Sequence, residues 1–424
     1  MPDESRPRPR HKASRRWLTA IAVTGLTTLV AVFIISYQSG QPLRRAEQAL
    51  KSNRPDLALK LIGEFLRDHP DDIQAQALRA RALVEIGQLT EALRFFHREG
   101  ASEPAELHAW AKAHLLRQEW SDAQAVLERL LQLNPNDADA LHEITACQSF
   151  LGQYRQALES GRRLVRQKGH EARGWLQIGT LHENLGNHRS AIEAWDQVLS
   201  YEPDAQRLQV TAAEFLSEFG RVLLKEGQPQ RARDLLDRSL ALQASAETLF
   251  YLGDAEQQLG HETAAVEYWT RAVQKDMSFR DAREQLAQAA YRAKDFKQAR
   301  DWLEPALASQ KSRSSATYLM QRICQALGQP EESKAWQQRT EELRKKEKLQ
   351  SAINHTLIES PESFWARAIR AYQFAESGNW HQAEIMTREL LAETQSEPFI
   401  RELSLCIRNH GPLPSLELIP VHQF

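Results

Sequence analysis

The sequence predicts an all-α protein, built from about ten helix-turn-helix repeats that follow one apolar N-terminal segment. Units of mostly 33 or 34 residues can be laid end to end from residue 39. Small residues recur at two fixed positions of these units, and glycine recurs at a third position between them. A period of this length indicates stacked helical hairpins, because a single hairpin cannot bury its own apolar face.

Each recurring position has a physical reason. The units begin near residues 39, 73, 104, 138, 172, 213, 246, 280, 314 and 364, and positions are counted from these starts. Position 8 is Ala or Gly in eight units and position 20 is Ala in nine, which lets two antiparallel helices approach closely. Glycine at position 15 supplies the left-handed residue that ends the first helix. Position 15 is glycine in seven units: Gly87, Gly152, Gly186, Gly227, Gly260, Gly328 and Gly378.

The unit from residue 172 has the most complete pattern, and the unit from residue 246 repeats much of it. Large apolar residues at positions 4, 7, 11 and 24 are expected to fill the space between hairpins, and a proline is expected to stop the second helix. Four units end in this way, at Pro70, Pro104, Pro135 and Pro203. The structural residues predicted in the two units are Trp175, Gly179, Gly186, Ala191, Trp195, Pro203, Gly253, Ala265 and Trp269.

This pattern resembles the tetratricopeptide repeat (TPR) family, whose unit reads W-x2-L-G-x2-Y, then A-x3-F, then P. The resemblance covers roughly residues 38–397 and implies an α-solenoid. With its apolar N-terminal segment, the chain is similar to bacterial single-pass membrane-anchored TPR proteins. Residues 398–424 are expected to form a capping helix and a proline-containing tail that packs back onto it.

Two units are longer than the rest, and a third is irregular. Seven extra residues follow the unit from 172, and we expect them to lengthen one helix by about two turns. Sixteen extra residues precede residue 364, and their charged sequence predicts a solvated, extended helix. The ninth unit has Gln321 and Ser333 at positions 8 and 20, which predicts a bend or weak point.

Residues 17–37 form an uncharged apolar segment of 21 residues. As a helix it would be about 31 Å long, close to the hydrocarbon thickness of a bilayer. Residues 1–16 carry six Arg or Lys residues, against four in the twenty residues after the segment. We expect an uncleaved inner-membrane anchor with a cytoplasmic N-terminus and the repeats outside the cytoplasm. A cleaved signal peptide and a twin-arginine signal are the alternatives, but the sequence fits both poorly.

No chemical motif predicts an enzyme or a metalloprotein. His182 and His188 are six residues apart, about 240° around a helix, so they could not share a zinc ion in the manner of HExxH. No nucleophile elbow, phosphate loop or dinucleotide-binding glycine pattern is present. The cysteines Cys147, Cys324 and Cys406 lie in apolar helical patterns and are expected to be buried thiols. We expect no cofactor, and a net charge of −2 does not favour nucleic-acid binding.

The resemblance implies that the first helices line a concave groove, reached by positions 2, 5, 9 and 12. In the later units these positions combine carboxylates with aromatic rings, which would suit an extended basic peptide and would also be ordinary for a soluble surface. Family members that bind a C-terminal carboxylate need Lys at position 5, Asn at position 9 and further basic residues in the next two units. No consecutive units of this chain carry that set. The candidate groove residues are Glu183, Arg221, Glu247, Phe250, Asp254, Glu284, Tyr291, Tyr318, Arg322, Trp365 and Tyr372.

The function expected from the resemblance is a membrane-anchored scaffold that binds proteins or peptides during envelope protein assembly or quality control. A cytoplasm-facing adaptor of reversed topology is the first alternative, and contacts through the convex face are another. An enzyme or metalloprotein is the least favoured alternative.

Overall fold

The computed structural model describes residues 41–308, 312–394 and 396–419, which fold into α-helices joined by short turns. The chain divides into two compact units, Met1–Leu116 and Arg117–Phe424. The predicted anchor, residues 17–37, lies outside the described residues. Within the described part, no helix combines the length and apolar character needed to cross a bilayer.

The first unit contains five helices in its described part. A helix over residues 41–51 (α1) is followed by α2 Pro55–Asp68, α3 Ile73–Glu85, α4 Leu89–Glu99 and α5 Pro104–Leu116. Alanines at the predicted small positions, including Ala46 and Ala58, are fully buried and surround Ile62. Pro104 begins α5 rather than ending a unit, because proline is well suited to the first turn of a helix.

The second unit continues the alternation to the C-terminus. Its helices are α6 Trp120–Leu133, α7 Ala138–Phe150, α8 Tyr154–Val165, α9 Glu171–Asn184, α10 His188–Tyr201, α11 Ala212–Lys225, α12 Pro229–Leu242, α13 Ala246–Gln258, α14 Glu262–Lys275, α15 Arg280–Arg292, α16 Phe296–Leu307, α17 Ser314–Ala326, α18 Pro330–Glu359, α19 Phe364–Glu376, α20 Trp380–Glu393 and α21 Pro398–Asn409. A short 3-10 helix, Leu416–Leu418, follows them.

The predicted turn position is left-handed in every unit. All seven glycines at position 15 have positive φ, as predicted. The other three units have Asn53, Gln118 and Lys294 at this position, with φ of 53°, 58° and 63°. The backbone requirement therefore holds even where the sequence does not supply glycine, at a conformational cost that glycine would avoid.

The small residue at position 8 is explained by the large residue at position 24. A Cβ atom on Gly179 would lie 2.2 Å from Trp195 Nε1, and one on Gly253 would lie 2.4 Å from Trp269 Nε1. Both indoles are almost fully buried, at 2% and 0% exposure. Trp195 and Trp269 thus pack directly on the backbone of the first helix of their own hairpins, which only a glycine allows.

The two long insertions take different forms. The expectation that the first lengthens a helix is wrong: residues 202–211 form a loop, and α11 begins after it with 14 residues. The loop ends at a capping box, in which Thr211 and Glu214 each bond the other's backbone N–H. The second insertion is helical as predicted, within the 30-residue helix α18.

The C-terminal residues pack as expected. On α21, Phe399, Ile400, Leu403 and Ile407 are buried against α19 and α20, so this helix caps the last hairpin. Ile419 is 2% exposed in the same core, and Leu413 and Leu416 pack beside it. Residues 420–424 of the predicted tail lie outside the described residues.

The last hairpin of the second unit also contacts the first helices of that unit, which the sequence did not predict. The amide of Gln382 on α20 accepts from the backbone N–H of Ser121 (3.1 Å) and donates to the Ser121 hydroxyl (2.8 Å). His381 lies 2.7 Å from Asp122, and Asn379 donates to the Gln118 carbonyl at 2.8 Å. We call these the closure contacts, because they join the two ends of the second unit.

Candidate interaction surface

The eleven predicted groove residues occupy six helices, α9, α11, α13, α15, α17 and α19. These are the first helices of successive hairpins in the second unit. The structure brings the residues together in pairs and small clusters, and it buries some of them. Their role in binding stays a prediction, and their surroundings decide which can meet a partner.

Glu183 and Arg221 form an ion pair between α9 and α11. Arg221 donates to Glu183 and also to Glu218, one turn earlier on its own helix. These carboxylates, Glu218 first, raise the pKa of the guanidinium above its ordinary value. Arg221 is therefore neutralised by its neighbours and is not a free cation.

Asp254 and Glu284 are carboxylates in partly dry surroundings on α13 and α15. Asp254 accepts a hydrogen bond from Trp269 Nε1 at 3.1 Å, and burial raises its pKa to about 7. Burial also raises the pKa of Glu284, although Arg313 opposes this shift. Arg313 lies closer to Asp281, at 2.8 Å, than to Glu284, at 4.0 Å.

Tyr291, Tyr318 and Arg322 form a stack between α15 and α17. The Arg322 guanidinium carbon lies 5.6 Å from the Tyr291 ring centre and 6.0 Å from the Tyr318 ring centre. Arg344 of α18 covers Tyr318 in the same way, at 5.5 Å. Cations already occupy these aromatic faces, so the rings are less available to a basic ligand than the sequence suggests.

The remaining aromatic residues of the predicted set serve packing. Phe250 is 9% exposed and fills the core beside Phe279 at 5.5 Å, so the expectation of a ring facing a groove is not met there. Trp365 packs against Phe399 of the capping helix, with ring centres 6.3 Å apart. Tyr372 is partly buried against the same C-terminal core.

A cleft of about 400 Å³ lies between α11 and α13 and contains Glu247 of the predicted set. Three carboxylates, Glu214, Glu218 and Glu247, line it together with the hydroxyl groups of Ser217, Ser245, Thr248 and Tyr251. We call this feature the acidic cleft. No arginine or lysine lines it, and Glu247 forms no ion pair within the described part of the chain.

Tyr251 links the acidic cleft to the neighbouring helices. Its hydroxyl has a pKa raised to about 12, mainly by burial, with further contributions from Glu218, Glu247 and Asp281, while Arg221 opposes the rise. The phenol therefore stays neutral at physiological pH and can donate a hydrogen bond. It lies in a field set by carboxylates of α11, α13 and α15, and that field favours a basic ligand.

Glu218 and Tyr251, which both stand at position 6 of their units, are not among the predicted groove residues. A signal was present, because position 6 is four residues from position 2 and three from position 9. Residues at these spacings share one face of a helix. The groove positions should therefore have included position 6 alongside positions 2 and 9.

His182 and His188, the two histidines considered above as zinc ligands, lie on different helices. His182 is half-buried near the end of α9, and His188 begins α10 after the turn at Gly186. Burial lowers the pKa of His182, so its imidazole is neutral at physiological pH. This placement fits a packing side chain at position 11 of the repeat.

The comparison with known families agrees with the helical hairpins described above. Three family models, each described as a tetratricopeptide repeat, match residues 43–104, 104–147, 172–204, 217–277 and 252–315. Together these matches cover more than half of the chain. The chain belongs to the tetratricopeptide repeat family. Proteins of this family bind peptides and proteins, and they are typically scaffolds rather than enzymes.

Individual TPR proteins resemble parts of the chain. A TPR repeat-containing protein of Halalkalibacterium halodurans is 31% identical over 97 residues, which are 23% of this chain and 44% of that protein. The chain thus spans less than half the length of this curated relative. A solved TPR protein of Parabacteroides merdae is 14% identical, with a TM-score of 0.46, and the match covers 57% of this chain and 93% of that one. PilW, described as a type IV pilus biogenesis factor, is 17% identical with a TM-score of 0.40 over 55% of this chain and 97% of its own.

Proposed function

We propose that this TPR protein is a membrane-anchored scaffold that binds an extended, basic segment of a partner protein at the acidic cleft. The observation that carries the proposal is the set of three carboxylates in one cleft, where Arg221 bonds Glu218 from outside the lining and Glu247 forms no ion pair among the described residues. A lysine or arginine side chain that entered the cleft would meet acceptors on both α11 and α13. Hydrogen bonds between charged groups are stronger than neutral ones, so the cleft selects for positive charge.

Residues 17–37 supply the proposed anchor, and the basic tail before them supports a cytoplasmic N-terminus. The repeats would then face the envelope and would assist the assembly or quality control of exported proteins. A cytoplasm-facing adaptor remains the second candidate function, favoured by the four basic residues that follow the segment. We propose no catalytic role for either topology.

Peptide binding tests the acidic cleft directly. The full chain is titrated with a fluorescent ten-residue peptide that carries three lysines, and with a matched peptide that carries glutamates instead. We expect binding of the lysine peptide only, weakened by added salt. Replacing Glu214, Glu218 and Glu247 with Gln should weaken binding by about 10- to 100-fold, if each charge pair contributes about 0.5–1 kcal/mol.

A matched variant controls for net charge. Glu193, Glu267 and Glu304 are exposed carboxylates on the second helices α10, α14 and α16. Replacing these three with Gln removes the same charge but should leave the affinity unchanged. Equal loss in both triple variants would mean that only overall charge attracts the peptide, and the cleft would then not be the site.

A pair of reporters tests the topology independently. One reporter active only outside the cytoplasm and one active only inside are fused after Phe424 in separate chains. Activity of the outside reporter supports the envelope scaffold. Activity of the inside reporter overturns that part of the proposal and favours the cytoplasmic adaptor.

A further inference from the structure

The second unit contains a cavity that is separate from the acidic cleft and is lined in part by α19, the first helix of the hairpin that makes the closure contacts. The cavity has a volume of about 630 Å³ and lies between α7, α9 and α19. Gln209 and Val210, from the inserted loop 202–211, complete its wall. A cavity of this size is in the range of sites for drug-sized ligands.

The walls of the cavity are largely apolar. Phe150, Leu176, Leu181, Leu357 and Phe374 contribute most of the large side chains. Phe150 and Val210 are 54% and 42% exposed, although comparable side chains elsewhere in the hairpins are mostly buried. An apolar ligand in the cavity would cover both.

Arg370 carries the formal charge at this site. It is 6% exposed, and among the described residues that line the cavity no other Arg or Lys and no Asp or Glu is present. Its guanidinium lies over the Tyr154 ring at 5.5 Å and donates through Nη1 to the Pro361 carbonyl. Its Nη2 atom is buried and has no hydrogen-bond acceptor in the described part of the chain.

The surroundings of Arg370 hold the side chain in place and leave it without a bound carboxylate. The guanidinium lies against Gly152, where a Cβ atom would be 2.0 Å from the Arg370 Cζ atom. Tyr154, which also forms a side-chain hydrogen bond with Arg370, and then Glu362 favour the charged guanidinium, but the Glu362 carboxylate bonds Arg155 at 3.4 Å. Burial remains the largest influence and lowers the pKa of Arg370. A buried cation with an unused donor is costly unless an anion reaches it.

Polar side chains also line the cavity toward its other end. His142 Nδ1 and Gln177 Oε1 are both buried there, and the two side chains interact with each other. Burial, and then the charge of Arg173, lower the pKa of His142 to about 4, so this imidazole is neutral. His142 lies eight residues before Phe150 on α7, about 12 Å along the helix axis.

We propose that this cavity binds a small organic carboxylate with an elongated apolar body. The carboxylate would accept hydrogen bonds from Arg370, since guanidinium and carboxylate have matching planar geometry. The apolar body would cover Phe150 and Val210 and extend toward His142. A single cation among apolar walls favours a monoanion over a phosphate, whose second charge would lack a counterion.

Calorimetric titration of the full chain in lipid nanodiscs tests this proposal, with empty nanodiscs as the blank. Octanoate is the probe, and octan-1-ol is the matched neutral ligand. We expect octanoate to bind at least tenfold more tightly than octan-1-ol. In Arg370→Gln, octanoate should lose at least tenfold in affinity, while the weak binding of octan-1-ol stays unchanged, which would show that the cavity persists.

Two further variants separate the cavity from the surface. Arg189→Gln removes an exposed arginine on α10 that does not line the cavity, and it should bind octanoate like the parent chain. Thr180→Trp, which adds a large side chain to the cavity wall on α9, should abolish binding of both ligands. Equal affinity for the two ligands, unchanged octanoate binding in Arg370→Gln, or no octanoate binding to the parent chain would each overturn the proposal.

Discussion

Replacing Asp254 with Asn should stabilise the protein at alkaline pH and have little effect in acid. The Asp254 carboxyl is mostly buried on α13, and its pKa is raised from about 3.8 to about 7. Between these two values the folded chain binds more protons than the unfolded chain, so stability falls as pH rises through this window. Above pH 7 the buried charge costs about 4 kcal/mol, because each pKa unit corresponds to about 1.4 kcal/mol.

Asparagine keeps the useful part of the interaction. Its side-chain oxygen can still accept from Trp269 Nε1, which now lies 3.1 Å from the aspartate oxygen, and it carries no charge to desolvate. The free energy of unfolding of Asp254→Asn should therefore exceed that of the parent by up to about 4 kcal/mol at pH 8. Near pH 4, where the aspartate of the folded chain is protonated, the two should be nearly equal.

Urea unfolding followed by tryptophan fluorescence from pH 4 to pH 8.5 measures this difference. Asp301→Asn, at an exposed position on α16, serves as the control and should show no comparable trend. A difference between Asp254→Asn and the parent that does not change with pH would refute the reasoning. A variant less stable than the parent at pH 8 would also refute it.

Three other substitutions or reactions test the packing of the second unit. Gly253→Ala should lower the melting temperature, and Gly253→Val should lower it further, because an added Cβ would lie 2.4 Å from the indole packed on this glycine. Overpacking of this kind costs about 1–3 kcal/mol. Equal melting temperatures for the parent and both variants, measured by circular dichroism, would contradict this. Burial raises the pKa of Cys147 to about 12. Iodoacetamide at pH 8 should therefore leave Cys147 unmodified in the folded chain and label the partly exposed Cys406, and mass spectrometry measures both outcomes. Lys294→Gly should raise the free energy of unfolding by about 1 kcal/mol, and with it the urea midpoint, since φ at this position is 63°. A lower midpoint would show that the lysine side chain matters more than the backbone.

The local features of the hairpins could be predicted because short-range geometry sets them. The left-handed turn at position 15 follows from the way one helix ends and the next begins, and the seven glycines made it visible. The tryptophans at position 24 required a residue without a Cβ atom opposite them, and Gly179 and Gly253 met this requirement. Each relation joins residues of one unit.

The inserted loop could also have been predicted from the sequence. Thr211 and Glu214 have the spacing of a capping box, which marks a helix start at residue 212 rather than a helix running through it. The seven inserted residues correspond to about two helical turns, so the length of the insertion alone favoured a longer helix. The capping box contradicts that interpretation. The lesson is that capping residues should outweigh insertion length when a repeat is lengthened.

The cavity and its arginine could not be predicted in the same way. Arg370 stands at position 7 of its unit, where Ile178 and Leu252 stand in others, so a charged residue there was the one available signal. Its neighbours Gly152 and Tyr154 are more than 200 residues away in sequence. Such contacts depend on the summed rotations between all intervening hairpins, which no single unit encodes.

The closure contacts have a consequence for how the second unit folds. In an open repeat array each hairpin touches only its neighbours, so folding can begin anywhere and spread along the chain. Here Gln382 and Ser121 are joined across 261 positions of sequence, and contacts of such long separation form slowly because a large loop must be closed first. We therefore expect a late kinetic phase in refolding, in which the closure contacts between α20 and α6 form after the individual hairpins have folded. Gln382→Ala, which leaves the Asn379 and His381 contacts in place, should slow that phase while the early, local phases keep their rates.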